Sequence, residues 1–236
     1  MSMSVEPSRV PILIPPQAAE EMRQDFTCES CGCRYSSIGA AFFCPACGHN
    51  SAQTTFLAAV QTVRTTATNL PNIRSAVEEL ADKDAAENTV RQLLENSLVR
   101  LAASFQRFAE AAFHALPNSS TFSIRKNLFQ NLNESTAVWR KATGKGYEDH
   151  LGPSAMAELH LFFQQRHLLA HREGLVDQGY IDKSGDRSYS IGQKLVIKGP
   201  AVLRLAELVE KLAHGLTDGQ VVGGGEVASG FAGEGS

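Results

Sequence analysis

The stretch AAENTVRQLLENSLVRLAASFQRFAEAAFHAL, residues 85–116, decides the fold class of this chain. Its large apolar side chains recur at intervals of four and three residues, at Leu94, Leu98, Leu101, Phe105, Phe108 and Ala112. Because an α-helix completes a turn in about 3.6 residues, these side chains share one face. The pattern predicts a long amphipathic helix that packs against other helices, and therefore a mainly α fold.

Other segments of the chain carry helix signals of their own. Residues 55–70 indicate a weak, Thr-rich helix, and Pro71 can begin the next one. Three more helices are predicted at residues 123–143, at 153–172 and after Pro200. Between the last two, SYSIGQKLVIKG (188–199) predicts a short strand or an extended loop, because its apolar and polar residues alternate.

Four cysteines near the N-terminus have the spacing of a zinc ribbon. Cys28 and Cys31 form one CxxC followed by glycine, Cys44 and Cys47 form a second, and twelve residues separate the pairs. Two such turns supply the four thiolates of a closed, structural zinc site. Free or disulfide-bonded cysteines are the alternative. Cys33 is left over, because CxC fits a ribbon turn poorly.

The spacing of motifs divides the chain into four parts. Residues 1–22 contain four prolines and are expected to be extended or disordered, and residues 23–52 form the ribbon. Within it, QDFTC (24–28) and AAFFC (40–44) are strand candidates, and Phe26, Phe42 and Phe43 provide a minimal core. The helical domain covers residues 54–216. The tail, 217–236, is rich in glycine and is expected to be disordered.

The motif RHLLAHREGLVD, residues 166–177, ends the helix predicted at 153–172. Arginine offers a planar fork of donors that matches phosphate oxygens, and histidine transfers protons near neutral pH. Arg166 and His171 are five residues apart, or about 140° around a helix, whereas His167 and His171 share a face. Arg166 and His171 therefore act together only if the helix loosens or if two subunits meet.

The segment from Ile124 to Gly199, with this motif inside it, resembles the HEPN family of small helical domains. The resemblance implies an HEPN-like helical bundle that forms a homodimer, with the two motifs facing one cleft. It also implies a metal-independent endoribonuclease of a toxin or phage-defence system, restrained by an antitoxin or activated by a trigger protein. Arg166 and His171 would be its catalytic residues, with His167 as a polar helper, and the substrate would be RNA.

Charge and hydropathy restrict where and how such a protein works. The formal net charge of −3 excludes a chain that coats nucleic acid, so RNA contact must be local. Basic residues that could guide RNA, or could simply form a solvated helix face, are Arg125, Lys126, Arg140, Lys141 and Lys145. The N-terminal sequence lacks a signal-peptide pattern, and no run is long enough for a membrane span. We therefore expect a cytoplasmic protein.

Two other interpretations of the motif remain open. His160, His167 and His171 form a stripe that could bind a metal, although only Glu158 lies nearby as a carboxylate and no HExxH pattern is present. Alternatively, Arg166 and His171 are both structural, with Arg166 tied to an acidic side chain and His171 packed at the dimer interface. The ribbon and helical dimer would then form a noncatalytic module that binds RNA or protein.

Overall fold

The computed structural model describes residues 23–28, 30–38, 44–49 and 52–218. The chain divides into two compact units, Met1–His49 and Asn50–Ser236. The predictions for residues 1–22 and for 219–236 lie outside the described residues. The helical unit includes Thr217 and Asp218, which the sequence places in the tail.

The first unit contains an antiparallel pair of strands, β1 (Arg23–Thr27) and β2 (Arg34–Ile38). The predicted strand QDFTC corresponds to β1, whereas β2 was not predicted. The ring of Phe26 stacks on that of Tyr35 across the pair, with centroids 5.5 Å apart. Residues 40–43 of the other strand candidate, with Phe42 and Phe43, lie outside the described residues.

The described part of the second unit is mainly helical, which confirms the mainly α fold class. Its helices are α1 (Ala52–Leu80), α2 (Lys83–His114), α3 (Leu132–Thr143), α4 (Tyr147–Leu151), α5 (Pro153–Arg172), α6 (Gln178–Ser184) and α7 (Gly199–Asp218). None of these described helices has a stretch apolar and long enough to cross a membrane.

Helix α2 lies at the centre of the core, as its apolar line predicts. The side chain of Asp82 caps it by accepting a hydrogen bond from the Ala85 N–H at 2.7 Å. Of the predicted apolar line, every member except Ala112 is buried, and Ala112 packs against the core at its edge. Helices α1, α5 and α7 pack against α2, so this one helix organises the bundle.

The prediction that Pro71 begins a new helix is wrong. Pro71 lies inside α1, which continues without a break to Leu80. Proline lacks an N–H and interrupts one backbone hydrogen bond, but a single missing bond does not force the chain to end a helix. In the next turn, Arg74 forms a surface ion pair with Glu87 of α2 at 2.7 Å.

The predicted helix 123–143 is also too long. Regular helix begins only at Leu132, because the side chain of Asn131 caps it by accepting from the N–H groups of Asn133 and Glu134. Upstream, Asn127 has a positive φ of 65°, and Leu128–Gln130 form a short 3-10 turn. The left-handed backbone of Asn127 and the cap at Asn131 together separate residues 123–131 from α3.

The segment between α6 and α7 forms no regular strand in the described residues and contains turns at 187–188 and 191–192. One isolated antiparallel bridge joins Leu175 to Lys194, and the N–H of Leu195 donates to the carbonyl of Gly174 at 2.8 Å. These contacts fix the chain directly after α5. The last helix begins at Gly199, next to the Pro200 that predicts it.

Candidate functional site

Helix α5 carries the motif and has the bounds that the sequence predicts. Gly152 precedes it with a positive φ of 82°, and Pro153 takes the first helical position, where its missing N–H costs nothing. One face packs into the core through Met156, Leu159, Phe162, Phe163 and Leu168. Beside this face runs a stripe of residues spaced three or four positions apart, all partly or fully exposed. The stripe consists of His160, Gln164, His167 and His171.

A polar groove of about 490 Å³ runs along this stripe. Helix α5 forms one wall, the start of α3 forms another, and Lys183 projects from α6. The lining residues are Gln130, Asn131, Leu132, Asn133, His160, Phe163, Gln164, Arg166, His167 and Lys183. Among the described residues, the lining contains two imidazoles, a guanidinium and an ammonium group but no carboxylate. Such a groove attracts anions.

Arg166 is half-buried in the wall of this groove. Its Nε is fully enclosed and has no hydrogen-bond partner, and no described carboxylate pairs with its guanidinium. Burial lowers the pKa of Arg166. No acidic side chain among the described residues pairs with Arg166, so the interpretation that Arg166 is tied to one is not supported. A buried guanidinium without a counter-charge is costly, and binding an anion offsets that cost.

His167 and His171 form a close pair on the exposed side of α5. Their ring centroids are 4.8 Å apart, and the planes are inclined by 53°. Partial burial lowers the pKa of His167, and the nearby charges of His171, Lys183 and Arg166 lower it further, while Asp177 opposes them. The surrounding cations therefore favour the neutral imidazole, the form that accepts a proton.

The groove also contains His160, which the sequence places on one stripe with His167 as a possible metal ligand, and Lys183, which was not predicted as a site residue. His160 lies two turns before His167, and Lys183 comes from α6. The position of Lys183 had no sequence signal, because it depends on how α6 folds back against α5.

Arg166 and His171 do not form a direct pair within one chain. Helix α5 stays regular to Arg172, and its end is set by two positive φ angles, 53° at Glu173 and 75° at Gly174. The helix therefore does not loosen inside the motif. Arg166 and His167 line the groove, whereas His171 is not among its lining residues and lies beside His167.

The histidine stripe does not have the ligands of a metal site. Glu158, the carboxylate considered for it, is held by Arg204 at 2.7 Å. Among the described residues, the four cysteines are the only group of three or more potential ligands close enough to share one ion.

The five predicted RNA-guiding residues lie on the surface outside this groove. Arg125 makes a bidentate contact with Glu134, at 2.8 and 2.5 Å. Arg140 contacts Glu148 and Asp149, each at 2.7 Å. Two of the five charges are thus locally compensated. Lys126, Lys141 and Lys145 are exposed.

The four ribbon cysteines converge on one point. The Sγ atoms of Cys28 and Cys47 are 3.6 Å apart, those of Cys31 and Cys44 are 3.7 Å apart, and all four lie within 4.8 Å of one another. Sulfurs bound at about 2.3 Å to a tetrahedral ion lie about 3.8 Å from one another. The cluster therefore fits a four-coordinate metal ion.

The two CxxCG turns have the same backbone geometry. Gly32 and Gly48 have φ angles of 70° and 73°, and each N–H donates to the carbonyl of the first cysteine of its turn at 2.8 Å. Burial raises the pKa of the Cys44 thiol, but the backbone N–H groups of Cys47 and Ala46 and the hydrogen bonds with Cys28 and Cys31 together outweigh this and lower the pKa to about 6. N–H groups directed at a sulfur stabilise a thiolate ligand.

Cys33 is outside the cluster, as expected. Its carbonyl accepts the N–H of Cys28 at 2.9 Å, and the carbonyl of His49 accepts the N–H of Cys44 at the same distance. Cys33 and His49 are thus equivalent positions that close the two turns through backbone atoms.

Comparison of the chain with models of protein families, with curated proteins and with solved structures gives no match.

Proposed function

We propose that this chain is a metal-independent endoribonuclease of the HEPN type, acting as a toxin or phage-defence effector. One observation carries the proposal. Arg166 is half-buried, and no carboxylate among the described residues pairs with it, in a groove that also holds two histidines and a lysine. This combination provides a fixed cation for a phosphate and groups for proton transfer at neutral pH.

In the proposed reaction, the RNA supplies its own nucleophile. The 2′-oxygen attacks the adjacent phosphorus, the bond to the 5′-oxygen breaks, and a 2′,3′-cyclic phosphate and a 5′-hydroxyl result. Arg166 holds the phosphate and stabilises the charge that grows on it. His171, oriented by His167, serves as the base for the 2′-hydroxyl or as the acid for the 5′-oxygen. DNA lacks the 2′-hydroxyl and would not react.

A homodimer would complete this arrangement. Arg166 and His171 diverge around α5, so a second copy with its motif facing the first would place His171 of the partner subunit near Arg166. Exposure of His167 and His171 in the single chain leaves them accessible to such contact. The HEPN resemblance of residues 124–199 supports the same assembly.

We also propose that the ribbon cysteines hold a structural zinc ion. Four thiolates fill the coordination shell, so no position is left for water or substrate, and the metal takes no part in RNA cleavage. The ribbon would then recognise the RNA target or a trigger protein.

Expression of the chain in bacteria tests the nuclease function. We expect wild-type protein to arrest growth and to cut cellular RNA, leaving 2′,3′-cyclic phosphate ends that sequencing can map. Arg166→Ala and His171→Ala should abolish both effects, and His167→Ala should weaken them. The matched controls are Arg172→Ala and His214→Ala, which change exposed residues of the same types outside the groove.

A harmless wild-type chain that leaves RNA intact, and behaves like its Arg166→Ala and His171→Ala variants, would contradict the nuclease function. Binding of RNA by the wild type but not by Arg166→Ala in that case would support a noncatalytic RNA-binding module.

A further inference from the structure

A second groove of the helical unit, of about 680 Å³, shares no lining residue with the polar groove. One turn of α1, two turns of α2 and the residues that lead into α7 form its walls. The apolar part of the lining consists of Leu70, Pro71, Val90, Leu94, Val196 and Ile197. The groove is open to solvent, and both Pro71 and Val196 are exposed. Water therefore covers apolar surface that an apolar occupant would remove from it.

The part of α1 that borders this groove adds no buried side chain to the core. The buried residues of α1 all lie in its first half, and they are Phe56, Ala59, Val60 and Val63. From residue 64 to residue 80, every side chain is at least partly exposed. The groove thus lies beside a helical surface that the described part of the chain covers only in part, and contiguous apolar surface of this kind is typical of interaction sites.

The charged side chains of this second groove are unbalanced. Arg74 and Glu87 form an ion pair at 2.7 Å. Arg91 donates a hydrogen bond to the amide oxygen of Asn88 at 3.0 Å. Within the described residues, neither Arg91 nor Lys198 forms an ion pair. Two exposed cations therefore lie next to the apolar lining without a counter-charge, and they favour an occupant that carries carboxylates.

The length of the second groove fits a helix. On α2, its lining residues run from Glu87 to Leu94, which are seven positions, or about 10 Å, apart. A helix laid along this distance presents apolar side chains at positions i, i+3 or i+4, and i+7 on one face. An extended segment of the same length has only about three residues, and alternate side chains point away. A helix therefore places more apolar surface in the groove than a strand does.

We propose that this groove binds an amphipathic helix of a partner protein. The apolar face of that helix packs on Leu70, Leu94 and Val196, and acidic side chains on its flank lie opposite Arg91 and Lys198. A second copy of the chain is less suitable, because two grooves that face each other bring like charges together. The second groove is separate from the polar groove, so its occupancy does not depend on the ribonuclease function.

Two synthetic peptides of opposite charge test this proposal. Each has about 16 residues, is stapled so that it stays helical, and carries leucine at positions i, i+4 and i+7 of one face. The flanking positions are Glu in one peptide and Lys in the other. Fluorescence anisotropy measures the binding of each peptide to the full chain. We expect the Glu peptide to bind about tenfold or more tightly than the Lys peptide.

Charge reversal in the groove should reverse this preference. In a chain with both Arg91→Glu and Lys198→Glu, the Lys peptide should bind about threefold or more tightly than the Glu peptide. The matched control combines Arg100→Glu with Lys211→Glu, which changes the net charge equally at exposed positions outside the groove. This control should keep the wild-type preference.

Gly199→Phe tests the apolar part of the groove. A Cβ atom at Gly199 would meet only the Cδ1 atom of Leu70, at 3.8 Å, which is ordinary van der Waals contact. The fold therefore accommodates a side chain there, and the phenyl ring would occupy space in the groove. We expect the Glu peptide to bind about tenfold more weakly to this variant, and thermal melting verifies that each variant is folded.

Several results would overturn the inference. Equal binding of the two peptides by the wild type, or a Glu-peptide affinity that Gly199→Phe leaves unchanged, would exclude an acidic helix from the groove. A wild-type dimer that dissociates in Gly199→Phe, measured by sedimentation, would assign the groove to a second copy. Binding of dodecanoate but of neither peptide, lost in Gly199→Phe, would assign it to a small apolar anion.

Discussion

The imidazole rings of His167 and His171 lie 4.8 Å apart, one turn from each other at the end of α5. At this separation, a proton on one ring disfavours a proton on the other. The charge of His171 is therefore one of the causes that lower the pKa of His167, after burial.

Replacing His171 with Gln should raise the pKa of His167. Burial is the largest cause of the low pKa of His167, so the new value should remain below the ordinary 6.5. NMR titration of the His167 ring protons measures the change, and His214→Gln should leave the titration unaltered. An unchanged His167 pKa in His171→Gln would contradict the electrostatic coupling.

The same pKa shift predicts how stability depends on pH. The folded-state pKa of His167 lies below its unfolded value of 6.5, so the unfolded chain binds more protons between these two values. Stability is therefore lost as the pH falls from 6.5 through the folded-state pKa. His167→Gln should reduce this loss, which urea unfolding at a series of pH values would detect. An identical pH dependence in the variant would exclude His167 as a contributor.

Arg166→Met should stabilise the folded chain while abolishing RNA cleavage. The buried Nε of Arg166 has no partner, and an unsatisfied buried donor costs about 1–3 kcal/mol. Methionine fills similar space without that cost, so we expect a gain of roughly 1 kcal/mol in the free energy of unfolding. Denaturant unfolding measures it, with the exposed Arg172→Met as the control. Marked destabilisation would instead assign Arg166 a structural role.

The sequence predicts the elements of the site better than it predicts their arrangement. The bounds of α5 follow from local signals, namely Pro153 at its start and Gly174 after its end, and they agree with the structure. The groove depends on contacts between elements distant in sequence. Lys183 approaches from α6, and no carboxylate in the described part of the chain lies beside Arg166; neither feature has a local signal, because both are set by tertiary packing.

Pro71→Ala tests whether Pro71 lies inside one continuous helix, as in the structure, or begins a separate helix, as the sequence predicts. Pro71 is exposed and lies inside α1, so alanine should restore a backbone hydrogen bond and raise the free energy of unfolding by about 1–3 kcal/mol. At the first position of a separate helix, proline is favourable, and its removal would be neutral or destabilising. Asn72→Ala controls for helix propensity and should add only about 0.5 kcal/mol.

Removal of metal should unfold the ribbon and leave the helical unit folded. Among the described residues of the first unit, Phe26 and Tyr35 on the two strands are only partly buried, so the proposed zinc ion would supply most of the stability of this unit. We expect one zinc ion per purified chain, measured by elemental analysis. A strong chelator should abolish the protection of β1 and β2 amides from hydrogen exchange but not that of α2.

Cys44→Ser should lose the metal, whereas Cys33→Ser should retain it, because Cys33 lies outside the four-sulfur cluster. Loss of metal in Cys33→Ser, or a metal-free chain whose strands stay protected, would refute a structural ion bound by Cys28, Cys31, Cys44 and Cys47.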